Sequence, residues 1–297
     1  MTRIVAVDCV GRPGDVTRHT RALGGALVVT VVFMVVEAVG GWMANSIALL
    51  ADAGHMFGDA ASLGLAVFVA SLARRPATPE RTYGFLRFEI LAALLNGATL
   101  LLLAGVIVWQ AVERFRAPPA VNATLMLVVA ALGLGANLAA LRMLHASHGH
   151  SLNVRGAYWH VMGDLLGSIG ALVAAVVIAL TGWNLADPLI SVAIAGLILI
   201  GGWRIVRESV DVLIEATPRH IAMADVERRV ATIDGVTDVH DLHVWTVTSG
   251  MVVMTGHAVV PDAARAQAVL DVLRSRMADL GIHHVTLQIE QTRTCRR

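Results

Sequence analysis

Six apolar runs, each about the 20 residues that a helix needs to cross a bilayer, leave this chain few ways to fold. They cover residues 22–43, 47–73, 85–112, 121–144, 156–180 and 185–205. Short polar breaks separate them, including Arg74-Arg75-Pro76-Ala77-Thr78-Pro79, where two prolines stop a helix, and Pro118-Pro119. Only 15% of the 297 residues are charged and 56% are hydrophobic, with mean hydropathy +0.69. A soluble domain carries roughly 25% charged residues, so much of this chain must face lipid. The sequence therefore reads as an α-helical membrane protein with six transmembrane helices.

Arginines beside the spans set the orientation. With the amino terminus inside, the inner segments hold Arg3, Arg12, Arg18, Arg21, Arg74, Arg75, Arg81, Arg87, Arg142, Arg155, Arg204 and Arg207, and the outer loops hold Arg114 and Arg116. Both termini are expected in the cytosol. Residues 1–20 read as a cytosolic tail with no cleaved signal, and residues 21–208 as the membrane domain. The two cysteines, Cys9 and Cys295, lie outside the apolar runs, which argues against a disulfide framework. No basic face interleaved with aromatics is present, so nucleic acid is not expected as a partner.

Two of the spans carry the same polar insertion. His55-Met56-Phe57-Gly58-Asp59 and His160-Val161-Met162-Gly163-Asp164 both follow H-x-x-G-D. On a helix, residues four apart project from one face. Titratable groups deep in apolar helices are costly and usually face a bundle interior, where they bind or move an ion. If the second and fifth spans pack side by side, two imidazoles and two carboxylates converge into a tetrahedral set suited to zinc. The competing structural reading is a pair of interhelical hydrogen bonds, which a matched repeat makes harder to sustain. Gly54, Gly58, Gly163, Gly167 and Gly170 cluster around the motifs and allow close helix approach.

With both aspartates ionised, such a site repels itself unless something positive occupies it. Metal binding needs deprotonated ligands, so metal and protons compete for the same atoms. That competition is the thermodynamic link of a proton-coupled antiporter. The ligand types favour zinc, then cadmium and cobalt, ahead of iron(II). Asp52 reads as a proton carrier, as an alternate ligand or as a hydrogen-bonding partner of a neighbouring helix; Glu37, Asn96, Asn137 and Asp187 read as interhelical contacts. His145, His148 and His150 form a short histidine-bearing loop.

From residue 209 to 297 the texture is that of a small soluble domain. A helical spacing over 221–233, strands over 236–247 and 251–260 around Thr248-Ser249-Gly250, a helix over 263–280 and a strand over 285–289 predict an open α+β domain.

The run from Gly40-Gly41-Trp42 through Asn45-Ser46-Ile47-Ala48-Leu49-Leu50-Ala51-Asp52-Ala53-Gly54-His55 to Asp59 resembles the second-helix signature of the cation diffusion facilitator family, zinc-selective branch. Tyr83-Gly84-Phe85-Leu86-Arg87-Phe88-Glu89, His160 to Asp164 and His240-Asp241-Leu242-His243-Val244-Trp245 resemble further stretches of it. The resemblance implies a homodimer in the bacterial cytoplasmic membrane that exports zinc, with cadmium or cobalt as further cargo, in exchange for protons. It implies a ferredoxin-like cytosolic domain that binds regulatory metal. Carried over to this chain, the transport ligands are His55, Asp59, His160 and Asp164. In the cytosolic domain His240, His257 and His283 fall where the family places ligands, with Glu290 on the last strand and His243 and His284 as rivals. An aspartate- and histidine-built site that some relatives carry between the second and third helices is expected to be missing, since residues 74–82 contain neither. A pairing of Arg81 or Arg87 with Glu215 is one way to join the membrane and cytosolic domains.

Two other functions compete with transport. An intramembrane zinc enzyme needs an open coordination position and a general base, and no H-E-x-x-H pattern is present. A sensor whose membrane part serves only as an anchor predicts that His160→Ala leaves function intact.

Overall fold

The computed structural model describes Val28 and residues 31–73, 78–145 and 152–293, leaving out the side chains of residues 59, 62–73, 140, 143–145 and 152–163. The expected tail over residues 1–20, together with His148, His150 and Cys295, lies outside the described residues.

Six apolar helices come first: α1 (Val31–Ala44), α2 (Ile47–Ala73), α3 (Phe88–Arg116), α4 (Ala123–His145), α5 (Leu152–Thr181) and α6 (Ala186–Leu213). Among the described residues, Phe88–Arg116, Asp164–Thr181 and Ala186–Leu213 are long and apolar enough to cross a membrane, while Val31–Ala44, Ile47–Gly58 and Ala123–Ala139 are shorter apolar stretches. The protein is a multi-pass α-helical membrane protein with a small α+β domain after its last long helix. α6 continues eight residues past the expected end of the apolar span at residue 205, and an exposed Arg204–Glu208 pair at 2.9 Å lies along the added turn.

Two compact units divide the chain: Met1–Gly64 with Ala98–Gly202, and Leu65–Gly97 with Trp203–Arg297. In the first, the core is built from small residues. Ala130, Ala171, Ala174 and Ala175 are fully or almost fully buried, and α4 and α5 pack along one another. Without a hydrophobic drive between helices in lipid, close backbone approach supplies the dispersion energy that holds them. Gly40 shows how close: a Cβ there would lie 2.5 Å from Val129 Cγ2 on α4. Leu102, Trp109, Leu180, Leu197 and Ile200 point outward and are exposed, as a lipid-facing surface requires.

The start of α2 is fixed from outside. Asp187, fully buried at the first turn of α6, accepts the backbone N–H groups of Ile47 at 2.9 Å and Ala48 at 3.2 Å as well as the Ser46 hydroxyl. These are among the N–H groups that a helix leaves unsatisfied at its amino end. Arg114 supplies the countercharge at 3.5 Å and also donates to the Asn45 side chain at 2.9 Å. Asn45 turns the chain between α1 and α2 with φ 56°, a conformation that asparagine tolerates better than most residues.

In the second unit, α7 (Met223–Ala231), β1 (Asp238–Thr248), β2 (Met251–Val259), α8 (Ala266–Ala278) and β3 (His284–Glu290) follow the expected order. β1 and β2 form an antiparallel hairpin turning at Gly250 (φ 76°), and β3 pairs parallel to β2. A parallel neighbour needs a crossover, which α8 provides. Val226 and Val230 of α7 and Val269, Leu273 and Met277 of α8 bury against Val244, Val252 and Met254 of the sheet. The same unit holds the residues before α3. Arg87 pairs with Glu215 at 2.7 Å, while Arg81 lies 4.7 Å over the Phe85 ring. Glu89 accepts hydrogen bonds from Thr248 and Ser249 at the hairpin turn.

Candidate metal centres

One candidate centre lies where α2 meets α5. Asp52 of α2 rests on Gly167 of α5, where a Cβ would stand 2.6 Å from its Oδ1, and it accepts the Ser168 hydroxyl at 3.4 Å. Three residues further along α2, His55 Nε2 stands 3.8 Å from Asp164 Oδ1, four residues back along α5. Rising numbers on one helix meet falling numbers on the other, so the helices run antiparallel here. Asp164 is buried, and the His55 side chain is 31% exposed. Ligands held about 2.0–2.2 Å from a tetrahedral zinc stand roughly 3.3–3.6 Å apart; the observed spacing is slightly wider. Asp59 and His160 are helical residues whose side chains lie outside the description.

A second centre sits at one end of the sheet in the second unit, across all three strands. His240 and His257 face each other across the β1–β2 ladder, with ring centroids 5.2 Å apart and nearly perpendicular. Parallel pairing of β3 brings Glu290 beside Val259, two residues from His257. The Glu290 carboxylate stands 3.2 Å from His257 Nδ1 and 3.6 Å from His240 Nε2, and one ligand atom from each of the three lies within 4.8 Å of the others. Both nitrogens of His240 and Nδ1 of His257 are buried and make no hydrogen bond among the described residues. Imidazole nitrogens facing a carboxylate in that state suit a cation bound between them.

The flanking residues set the imidazoles. Asp238 lies 3.6 Å from His240 Nδ1 and 3.2 Å from Arg293, and Asp241 lies 4.0 Å from His257 Nε2. Gln288 donates to Glu290 Oε1 at 3.0 Å. Asp241 takes φ 54° in a bulge between His240 and His243, and the bulge carries Leu242 over Gly256, where a Cβ would meet Leu242 Cδ2 at 2.3 Å. A bulge re-aims the side chains beside it.

Of the four cytosolic residues expected as ligands, the structure gathers three. His283 is exposed and precedes β3, whereas Glu290 closes that strand; seven residues of strand span about 23 Å. Neither rival joins the group. His243 pairs with Asp241 at 3.1 Å, and His284 meets the Tyr83 ring edge-on at 6.3 Å. Sequence reasoning missed Asp238, Asp241 and Ser168. The signal for Ser168 is its place one turn beyond Asp164, on the same helix face.

The family model described as the cation efflux transmembrane domain matches residues 25–214, and that for the cation efflux protein cytoplasmic domain matches residues 218–292. A cadmium, cobalt and zinc/H(+)-K(+) antiporter of Bacillus subtilis is 42% identical over 263 residues, covering 87% of this chain and 85% of that protein. The metal cation efflux system protein CzcD of Cupriavidus metallidurans is 42% identical over 274 residues, 92% of this chain and 87% of its own. The zinc transporter ZitB of Escherichia coli is 42% identical over 275 residues, 92% and 88% of the two chains.

Proposed function

The chain belongs to the cation efflux family and is a membrane transporter rather than an enzyme; from that premise we propose that it exports Zn2+, with Cd2+ and Co2+ as further cargo, in exchange for protons. Residues 21–208 form the membrane part and residues 209–297 the cytosolic part. It works as a homodimer in the bacterial cytoplasmic membrane, with both termini in the cytosol.

The observation that carries this reading is His55 beside Asp164 on antiparallel helices. Continuing that register by one turn sets position 59 of α2 against position 160 of α5, so His55, Asp59, His160 and Asp164 close one shell of two nitrogens and two oxygens. Such a shell holding a divalent ion is locally neutral. When the ion leaves, protons take the same atoms. The buried Asp164 binds in either direction of opening, while the more exposed His55 gives the ion its first contact from water. Asp187 acts on the cargo through α2, whose first turn it holds about 12 Å along the helix from His55.

His240, His257 and Glu290 hold a second, resident zinc in the cytosolic domain. Three protein ligands leave a fourth position for water or for a group from the second copy. His283 stays outside this set.

Purified protein in liposomes with an acidic interior tests the reading. The wild type should accumulate zinc and dissipate the gradient, and Asp59→Ala and His160→Ala should do neither while remaining folded. Zinc uptake indifferent to pH would overturn the coupling, and full activity in His160→Ala would favour the sensor.

A further inference from the structure

We propose that Glu37 and Asp52 form a proton-holding carboxyl pair, separate from the metal ligands, that loads when zinc leaves and unloads when zinc binds. Glu37 on α1 and Asp52 on α2 are 0% and 2% exposed, and their carboxyl groups lie side by side. Both Glu37 oxygens are buried and make no hydrogen bond among the described residues. A carboxylate in that state keeps the full cost of desolvation. The cavity is built to hold it. A Cβ on Gly133 of α4 would stand 2.9 Å from Glu37 Oε1, and one on Gly167 of α5 would stand 2.6 Å from Asp52 Oδ1.

One polar chain enters the pair from the side. Asn137 Nδ2 on α4 donates to the Ser168 hydroxyl at 3.0 Å, and that hydroxyl donates to Asp52 Oδ2 at 3.4 Å. This chain orients Asp52 and leaves Glu37 to be satisfied by the proton it shares. Among the described residues Asp164 on α5 is the other titratable group acting on the pair, and His55 follows Asp52 by three residues along α2. α4 contributes the neutral Asn137, and Asp187 on α6 is engaged at the start of α2.

Two ionised carboxylates side by side in a dry bundle repel strongly, and one proton shared between them removes that repulsion while leaving a single negative charge. A divalent ion arriving a helical turn away opposes that proton and drives it to water, and its departure draws one back. The pair thus exchanges one H+ for part of the charge of Zn2+, and neither carboxyl needs to touch the metal. The inference rests on the antiport reading above, and its test separates the two.

The full chain in liposomes is assayed in two modes: zinc uptake driven by an acidic interior, and exchange of radioactive for unlabelled zinc at equal pH. Exchange needs the metal site to open to both sides but does not need the empty carrier to return with protons. In Glu37→Gln, driven uptake should fall at least about tenfold while exchange stays within about threefold of wild type. Asp52→Asn should behave alike, and Glu37→Asp should recover driven uptake. Loss of both modes together in Glu37→Gln and Asp52→Asn, or retention of both, overturns the proposal. Wild-type uptake that ignores the gradient overturns the antiport reading itself, whatever the variants do.

Discussion

The Asp187 carboxylate at the start of α6 accepts the backbone N–H of Ile47 at the start of α2, 2.9 Å away and 140 residues distant in sequence. A membrane aspartate used this way is a cap supplied by another helix, and it ties the depth of α2 to that of α6. Asp187→Ala removes the acceptor for two amides and a hydroxyl and leaves Arg114 without its carboxylate. The expected cost is about 1–3 kcal/mol of stability. A lower unfolding temperature in detergent, together with impaired zinc uptake, checks it; Asp187→Asn should retain part of both.

The Asp52–Gly167 contact predicts a steric block. Gly167→Ala places a methyl group 2.6 Å from Asp52 Oδ1, forcing α2 and α5 apart or the carboxyl aside, at about 1–3 kcal/mol. Zinc uptake should fall sharply. Gly105 of α3 has nothing within 4 Å of its Cβ position, so Gly105→Ala should transport as the wild type does.

Because metal and protons compete for the proposed ligands, zinc affinity at the intramembrane centre should weaken as pH falls. Where binding displaces one proton, the apparent dissociation constant rises about tenfold per pH unit. Calorimetric titration in two buffers of different ionisation enthalpy counts the protons released, and Asp164→Asn should abolish the high-affinity phase. His240→Ala/His257→Ala protein removes the cytosolic contribution from the trace.

For the cytosolic centre, zinc at 100 times its dissociation constant should stabilise the domain by about 2.7 kcal/mol if the unfolded chain does not bind it. Thermal unfolding with and without zinc reads this directly. His240→Ala, His257→Ala and Glu290→Gln should lose the zinc-dependent increment, and His283→Ala should keep it. Loss in His283→Ala would restore that residue to the ligand set.

The paired histidine and aspartate motifs stood out in the sequence because a titratable group inside an apolar run has few bland explanations, and of the four residues the structure describes the side chains of His55 and Asp164. Helix and strand order were legible for a similar reason: the period of apolar residues switches near residue 209. The family resemblance drawn from Gly40 to Asp59 and from His240 to Trp245 agrees with the matches over residues 25–214 and 218–292. Partnerships that need tertiary register were not legible. Glu290 joins His257 because β3 pairs parallel to β2, and nothing in the spacing from residue 283 to 290 says which end of that strand faces the histidines. Glu37, Asp52 and Asn137 each look like a single interhelical contact; only the crossing of α1, α2, α4 and α5 makes them one cluster with Ser168. Asp241 gave no sign of its left-handed conformation, because the bulge follows from the crossing of Leu242 over Gly256.

Zinc X-ray absorption on full-length protein carrying His240→Ala and His257→Ala tests the central claim most directly, since it reads the atoms around the cargo. Four-coordinate zinc, one per chain, with two imidazole nitrogens and two oxygens about 2.0–2.2 Å away is the expected spectrum. A six-coordinate oxygen shell, or a spectrum with fewer than two imidazoles, would contradict it.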